Sequence, residues 1–265
     1  MRWSWTGTTK FSTARSCRSA ALLAALCLPL IAASPAGAYV EVGSGGHAGS
    51  PPEVTVVLDP GHDRYANGAL EPIGPGSRTL KIKDGGGTHG VATGQSEASV
   101  NLRIGLRLRT LLQASGIRVV MTRTTTCCVS MGNIARAQIA NHNHAALFLR
   151  IHADGSTDHS QVGTSMLYPA WHRGWTDDIY SRSLLAARLV HPKLVGALGW
   201  PNRGLVARSD LTGFNWSNVP VILTEVGFLT NPGEDRSLAT AGTVDRAALG
   251  LRNGVLAYLR ARGLL

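Results

Sequence analysis

The run Val54-Thr-Val-Val-Leu58, followed at once by Asp59-Pro60-Gly61-His62, limits what this chain can fold into more than any other stretch. A continuous β-branched and aliphatic run bounded by turn residues reads as a strand covered on both faces. Pro60 cannot donate to a sheet ladder and Gly61 permits a tight turn. The strand therefore stops there, and His62 stands just beyond its carboxyl end. In open α/β sheets ligands bind along that edge. Taken alone, such a histidine is equally compatible with a hydrogen-bonded structural role.

Downstream, strand and helix patterns alternate. Ser96 is an N-cap for a helix with Val100, Ile104, Leu108, Leu111 and Leu112 on one face, and Gly116 is its C-cap. Strands are predicted over 117–122, 146–151, 163–168 and 219–227, the third strand of the chain running directly into His152. Helices are predicted over 133–141, 178–194, 232–239 and 244–262. This order predicts an α/β fold in a single domain, 53–265, with a twisted, mostly parallel sheet flanked by helices on both faces. Residues 63–95 are rich in Gly and Pro and include Asp84-Gly85-Gly86-Gly87. They read as a long functional or mobile loop at the rim of the site, with room for a hairpin.

The start of the chain has a different character. Arg2, Lys10, Arg15 and Arg18 precede the apolar run 20–31 and then Ala36-Gly37-Ala38, the pattern of a secretory signal peptide over 1–38. Pro29 interrupts the apolar run, which is shorter than the ~20 residues a spanning helix needs. Stable membrane insertion after cleavage is not expected, and residues 39–52 read as a flexible Gly/Ser-rich leader. The formal charge is +10, and residues 1–38 hold four basic and no acidic side chains, which leaves +6 for the remainder. No basic run or aromatic-basic pattern accompanies this surplus, so nucleic acid is not the expected partner. An exported basic protein fits an anionic envelope polymer better, with a merely solvated basic surface as the plainer alternative. Cys127 and Cys128 are adjacent and cannot join distant segments. They are free thiols, a vicinal disulfide or an intermolecular link, and the absence of a C-x-x-C pair excludes a cysteine zinc site.

Four residues fall at equivalent places: His62 after the first strand, Glu97 opening the first helix, His152 ending the third strand and Glu225 near the end of the last. Right-handed crossovers bring these ends to one edge. Two imidazoles and a carboxylate suit a three-ligand catalytic zinc site, with Glu225 placed to accept a proton from water. Each has a plainer reading. His152 can be a satisfied strand-end residue, and Glu97 can serve the helix dipole. Glu225 can be a strand-end charge, although an unpaired carboxylate after Val221-Ile-Leu223 would be costly. The remaining histidines of the chain's later part, His89, His142, His144, His159, His172 and His191, read as solvated, with His89 the first substitute ligand.

These motifs carry a resemblance. Val56-Val-Leu-Asp-Pro-Gly-His62, Glu97 at a helix start, Leu149-Arg-Ile-His-Ala-Asp154 and Leu223-Thr-Glu-Val-Gly-Phe-Leu-Thr-Asn231 resemble the zinc-dependent N-acetylmuramoyl-L-alanine amidases, the type-3 cell-wall amidase family, over about 54–264. The resemblance implies cleavage of the amide between N-acetylmuramic acid and the L-alanine of the peptide stem in peptidoglycan or muropeptides. It implies one Zn2+ per chain held by His62, Glu97 and His152, with Glu225 as catalytic base and the protein secreted or in the envelope. Residues 136–141 match the helix before the second histidine. Residues 207–211 resemble a loop of actinobacterial members, which makes Arg208 a substrate-binding candidate that helps hold the oxyanion. Arg150 departs from the family's usual serine; strand alternation puts it on the same face as His152, where it borders the site. The Cys-Cys pair and the glycine-rich loop are departures too. The ligand set alone also fits a zinc peptidase or deacetylase, and an inactive peptidoglycan-binding module is the non-enzymatic alternative. Some relatives carry a helix that plugs the site. Here 169–218 holds one helix needed as a crossover, and the rest, with Gly199, Pro201, Gly204 and Gly213, is too broken for a plug, so no obligate activator is expected.

Overall fold

Eight strands and six helices are seen in the computed structural model, which describes residues 53–127 and 129–265. The predicted signal segment 1–38, the leader 39–52 and Cys128 lie outside the described residues. The strands are β1 (Thr55–Pro60), β2 (Asn67–Pro72), β3 (Leu80–Asp84), β4 (Arg118–Met121), β5 (Leu147–Asp154), β6 (Thr164–Pro169), β7 (Asn202–Arg208) and β8 (Val221–Phe228). The helices are α1 (Glu97–Gln113), α2 (Asn133–His142), α3 (Tyr180–Leu198), α4 (Thr212–Asn215), α5 (Pro232–Leu238) and α6 (Ala241–Ala261).

Six strands form the main sheet in the order β4-β1-β5-β8-β6-β7, while β2 and β3 form the hairpin inside the long rim segment. β4, β1, β5 and β8 are mutually parallel, as expected. β6 runs antiparallel to β8, and β7 is parallel to β6. The cause is the connection: no helix separates β5 from β6, so the chain leaves the carboxyl edge and runs straight back. β7 is a strand the sequence pattern does not announce. It is an edge strand in which no residue is fully buried, so no apolar alternation marks it. α3 accommodates Pro192 and continues beyond residue 194 to Leu198, where a left-handed Gly199 caps it. Ser96 caps α1 as read, its Oγ accepting from Ser99 N at 3.3 Å, but the helix closes on Ala114, with Gly116 turning left-handed just beyond.

Alternation along β1 and β5 sorts two cores. Val56, Leu58, Leu149 and Ile151 pack with Ile104, Val190 and Leu251 under α1, α3 and α6. Val57, Phe148 and Leu223 pack with Ala137, Ile139 and Phe214 under α2 and α4. A fully buried side chain of this size contributes roughly 1.5–3 kcal/mol, so both layers hold the sheet.

The second face also buries a charge. Asp59 follows Val57 in that alternation and is fully buried. Its Oδ1 accepts from Arg136 Nη1 at 2.6 Å and Thr122 Oγ1 at 2.6 Å, and its Oδ2 accepts from Arg150 Nε at 2.8 Å. Burial would push this carboxyl up, but the two guanidiniums and the Thr122 hydroxyl hold it far below the usual carboxylate range. Arg123 finishes the clamp, donating to the carbonyls of Pro60 at 2.8 Å, Gly61 at 2.9 Å and Ala98 at 2.7 Å. The end of β1 is thereby tied to α1, α2 and β5. Cys127 is disulfide-bonded, and its partner is not among the described residues. Among the described residues no helix is long and apolar enough to cross a membrane.

Asp59→Asn is expected to destabilise the fold by about 3–5 kcal/mol at neutral pH, because it removes one member of a buried ionic cluster. A depressed folded-state pKa contributes stability above the ordinary carboxylate value and loses it as pH falls below that value. Urea titrations should therefore show the gap between wild type and variant closing below about pH 4.

Candidate metal centre

His62 leaves β1 with a backbone φ of 63°, in the left-handed region that side chains other than glycine seldom occupy. The clamp on Asp59, Pro60 and Gly61 holds it there, a local strain of the kind that concentrates at functional sites. Its Nδ1–H donates to Asp84 Oδ1 at 2.6 Å, which leaves Nε2 facing inward, 3.3 Å from Glu97 Oε1. His152 lies in β5, two residues before its end, with Nδ1 3.0 Å from the same Oε1. One ligand atom from each of His62, Glu97 and His152 falls within a 4.8 Å group. The two rings meet edge-on, with centroids 4.8 Å apart.

Neighbours fix each of these groups. Glu97 is buried; its Oε2 accepts from Thr88 N at 3.0 Å and its Oε1 from Asn101 Nδ2 at 3.2 Å. Burial would raise its carboxyl, but the two imidazoles keep it well below the usual range. Burial likewise lowers His152. For His62 burial is outweighed by Asp84 and Glu97, and the imidazole is carried up to about 9. Gly61 serves the site as well as the turn: a Cβ there would lie 2.2 Å from Nε2 of His152. Gly87, at φ 69°, closes over the other side, where a Cβ would come within 2.7 Å of Glu97 Oε2 and 2.9 Å of His62 Cδ2.

Glu225 pairs in register with His152 across β5 and β8. Its Oε2 is buried without a hydrogen-bond partner. Burial pushes its carboxyl well above the usual range, Glu97 and Asp154 add to the rise, and Arg208 and Arg150 offset part of it. A buried carboxylate oxygen with no partner, beside three converging ligand atoms, is an arrangement that a cation and a polarised water would complete. Two imidazoles and a carboxylate are the donors zinc prefers, and the outward hydrogen bond from His62 to a carboxylate is the usual support for such a ligand.

A family model described as N-acetylmuramoyl-L-alanine amidase matches residues 56–257. The chain belongs to the N-acetylmuramoyl-L-alanine amidase family. The enzyme class that goes with this membership is amide hydrolysis in the bacterial cell wall. Among its relatives, the amidase LytC of Bacillus subtilis is 29% identical over 206 residues, a match covering 78% of this chain and 36% of LytC. The amidase Rv3717 of Mycobacterium tuberculosis is 28% identical over 228 residues, covering 79% of this chain and 88% of the relative. The crystal structure of the amidase Ami1 from Mycobacterium smegmatis superposes with a TM-score of 0.72 at 27% identity, over 78% of this chain and 97% of that one.

Within this amidase-family fold, all four predicted residues, His62, Glu97, His152 and Glu225, converge. Arg208 stands differently. It ends β7 level with Pro169, and Asp210 grips it in a fork at 2.7 and 2.8 Å, so it acts on Glu225 through charge. Arg150 does line the cleft beside His62 and His152, but as a buried partner of Asp59 and Asn133. His89 stays outside the ligand group and pairs with Ser96. His191 is buried and bonded to Asn202 at 2.7 Å, a correction to its reading as solvated. Asp84 is the functional residue that sequence reasoning missed. It lay in view at the head of the glycine run, but nothing local marks its partner 22 residues away. Asp84→Ala is expected to weaken binding of a divalent metal ion about 10–100-fold, measured by competition with a chromophoric chelator, with little change in melting temperature.

Proposed function

We propose that this chain is a zinc-dependent amidase that hydrolyses the amide between N-acetylmuramic acid and L-alanine in peptidoglycan. His62 Nε2, Glu97 and His152 Nδ1 hold the ion, and Glu225 is the catalytic base. The observation that carries the reading is the buried, unpartnered Oε2 of Glu225 in register with His152, beside the three converging donors. Bound zinc would supply Lewis-acid polarisation of the scissile carbonyl and lower the pKa of water toward ~7. Glu225 takes a proton from the attacking water as its oxygen bonds to the carbonyl carbon. It returns that proton to the amine nitrogen as the C–N bond breaks. A carboxyl whose surroundings already favour protonation is suited to carry that proton between the two steps. Arg208, steadied by Asp210, lends positive charge to the side of the cleft where a substrate oxyanion or carboxylate would lie.

Residues 1–38 would direct export, placing the enzyme in the envelope or outside the cell. The interval 169–218 is taken up by α3, β7 and the four-residue α4; α3 packs on α6 and α4 on α2. This supports a site that works without an obligate activator.

Three outcomes test the reading. Digestion of purified muropeptides, followed by mass spectrometry, should release intact stem peptide and free glycan. Shortened peptides or lost acetate would instead assign a peptidase or a deacetylase. Glu225→Gln should retain the metal and lose at least ~10²-fold in turnover. Domain 39–265 with zinc should cleave soluble muropeptides at a rate that envelope extract does not raise.

A further inference from the structure

Residues 53–265 contain 22 Lys and Arg against 15 Asp and Glu. Their distribution is uneven. Helices α1, α3 and α6 hold nine of the basic residues, three in each helix, against two acids. One of those acids, Glu97, is buried in the metal centre, and the other, Asp245, is paired with Arg107 at 2.8 Å. Everything else in 53–265 is balanced, thirteen against thirteen, so the whole surplus of seven sits on this one helical layer.

The layer also has a receptacle. A cleft of about 350 Å³ lies between α3 and α6, walled by Lys193, Arg252, Asn253 and Arg260 over a floor of Leu256 and Ala257. Arg252 Nε donates to Ser115 Oγ at 3.3 Å, and Tyr258 Oη donates to the carbonyl of Ala146 at 3.3 Å. Ser115 follows the end of α1 and Ala146 precedes β5, so the cleft stands at the amino edge of the sheet, opposite the edge that carries His152. Lys193 and Arg260 are exposed.

We propose that this cleft and the basic layer around it bind a linear phosphodiester-type polyanion of the cell envelope, holding the domain on the wall while the opposite edge works on peptide stems. Positive charge runs along three adjacent helices, which suits an extended anion better than a single small one. A membrane surface fits less well, because lying on a bilayer needs an apolar face beside the basic one. Here the apolar faces are buried, Leu249 is the one large apolar residue of these helices with substantial exposure, and the exposed aromatics Tyr65 and Trp171 lie elsewhere. The same absence of exposed aromatics on the layer disfavours single-stranded nucleic acid, which uses stacking platforms. The proposal rests on the amidase reading only for where such a polymer would be met; the binding measurement involves no turnover.

The test uses residues 39–265 and long-chain inorganic polyphosphate, with calorimetry at low salt and again at ~0.5 M NaCl, where screening is strong. Binding should be present at low salt and lost at high salt. Lys193→Glu with Arg260→Glu should weaken it about tenfold or more, as removal of phosphate contacts does, with melting temperature and soluble-muropeptide turnover unchanged. Arg78→Glu with Arg173→Glu makes the same change in net charge on exposed residues away from the layer, and should leave affinity within about twofold. No binding, or equal loss in the two double variants, would overturn the proposal. So would binding to phosphatidylglycerol–phosphatidylcholine vesicles, or to single-stranded DNA, in preference to polyphosphate.

Discussion

Everything at the active edge depends on one carboxylate oxygen. Oε1 of Glu97 stands 3.0 Å from Nδ1 of His152 and 3.3 Å from Nε2 of His62, out of water, with a second buried carboxylate, Glu225, close enough to raise the cost of its charge. Such a cluster needs positive charge. In the metal-free chain it comes from His62, which Asp84 and Glu97 keep protonated up to about 9. A divalent cation would meet the same need and displace that proton, so on the proposed reading metal binding and protonation of His62 would compete. The surrounding construction keeps this oxygen where it is. Asn101 and Thr88 orient Glu97, Asp84 orients His62, and Gly61 leaves space for the His152 ring. Asp59 with its two arginines then fixes the end of β1 from which His62 projects.

What the sequence reveals here follows from the range of each signal. β1 and its Pro-Gly end, Ser96 capping α1 with Glu97 as its first residue, and the apolar runs leading to His152 and Glu225 are local patterns, and each is found where expected. Features that depend on pairing across the fold are silent. Asp59 reads as part of a turn but is a fully buried charge, held by Arg136 and Arg150 from 77 and 91 residues away. β7 gives no periodic signal because an edge strand with neither face well covered has no need of one. The antiparallel course of β6 follows from a missing helix, and a sequence read element by element does not weigh that connection. Gly61 can be read as a turn residue, yet its lack of a side chain is required by a ring from another strand.

The charge distribution divides the molecule in the same way as the chemistry. Outside α1, α3 and α6 the acids and bases of 53–265 balance, with Arg208–Asp210–Lys81 linking β7 to the hairpin strand β3. The layer of α1, α3 and α6 carries the net positive charge. Helix α1 joins this layer to the metal centre: its first residue is a proposed metal ligand, and its later turns belong to the basic layer.

The central claim, that His62, Glu97 and His152 form a zinc site, is tested most directly by elemental analysis. Protein purified without added metal or chelator would be measured by inductively coupled plasma mass spectrometry, wild type beside His152→Ala. The account predicts about one zinc per chain in the wild type and near-complete loss in the variant, since a three-ligand site does not survive removal of a ligand. A wild-type protein that holds no zinc and takes up none, or a variant that keeps full occupancy, would contradict it.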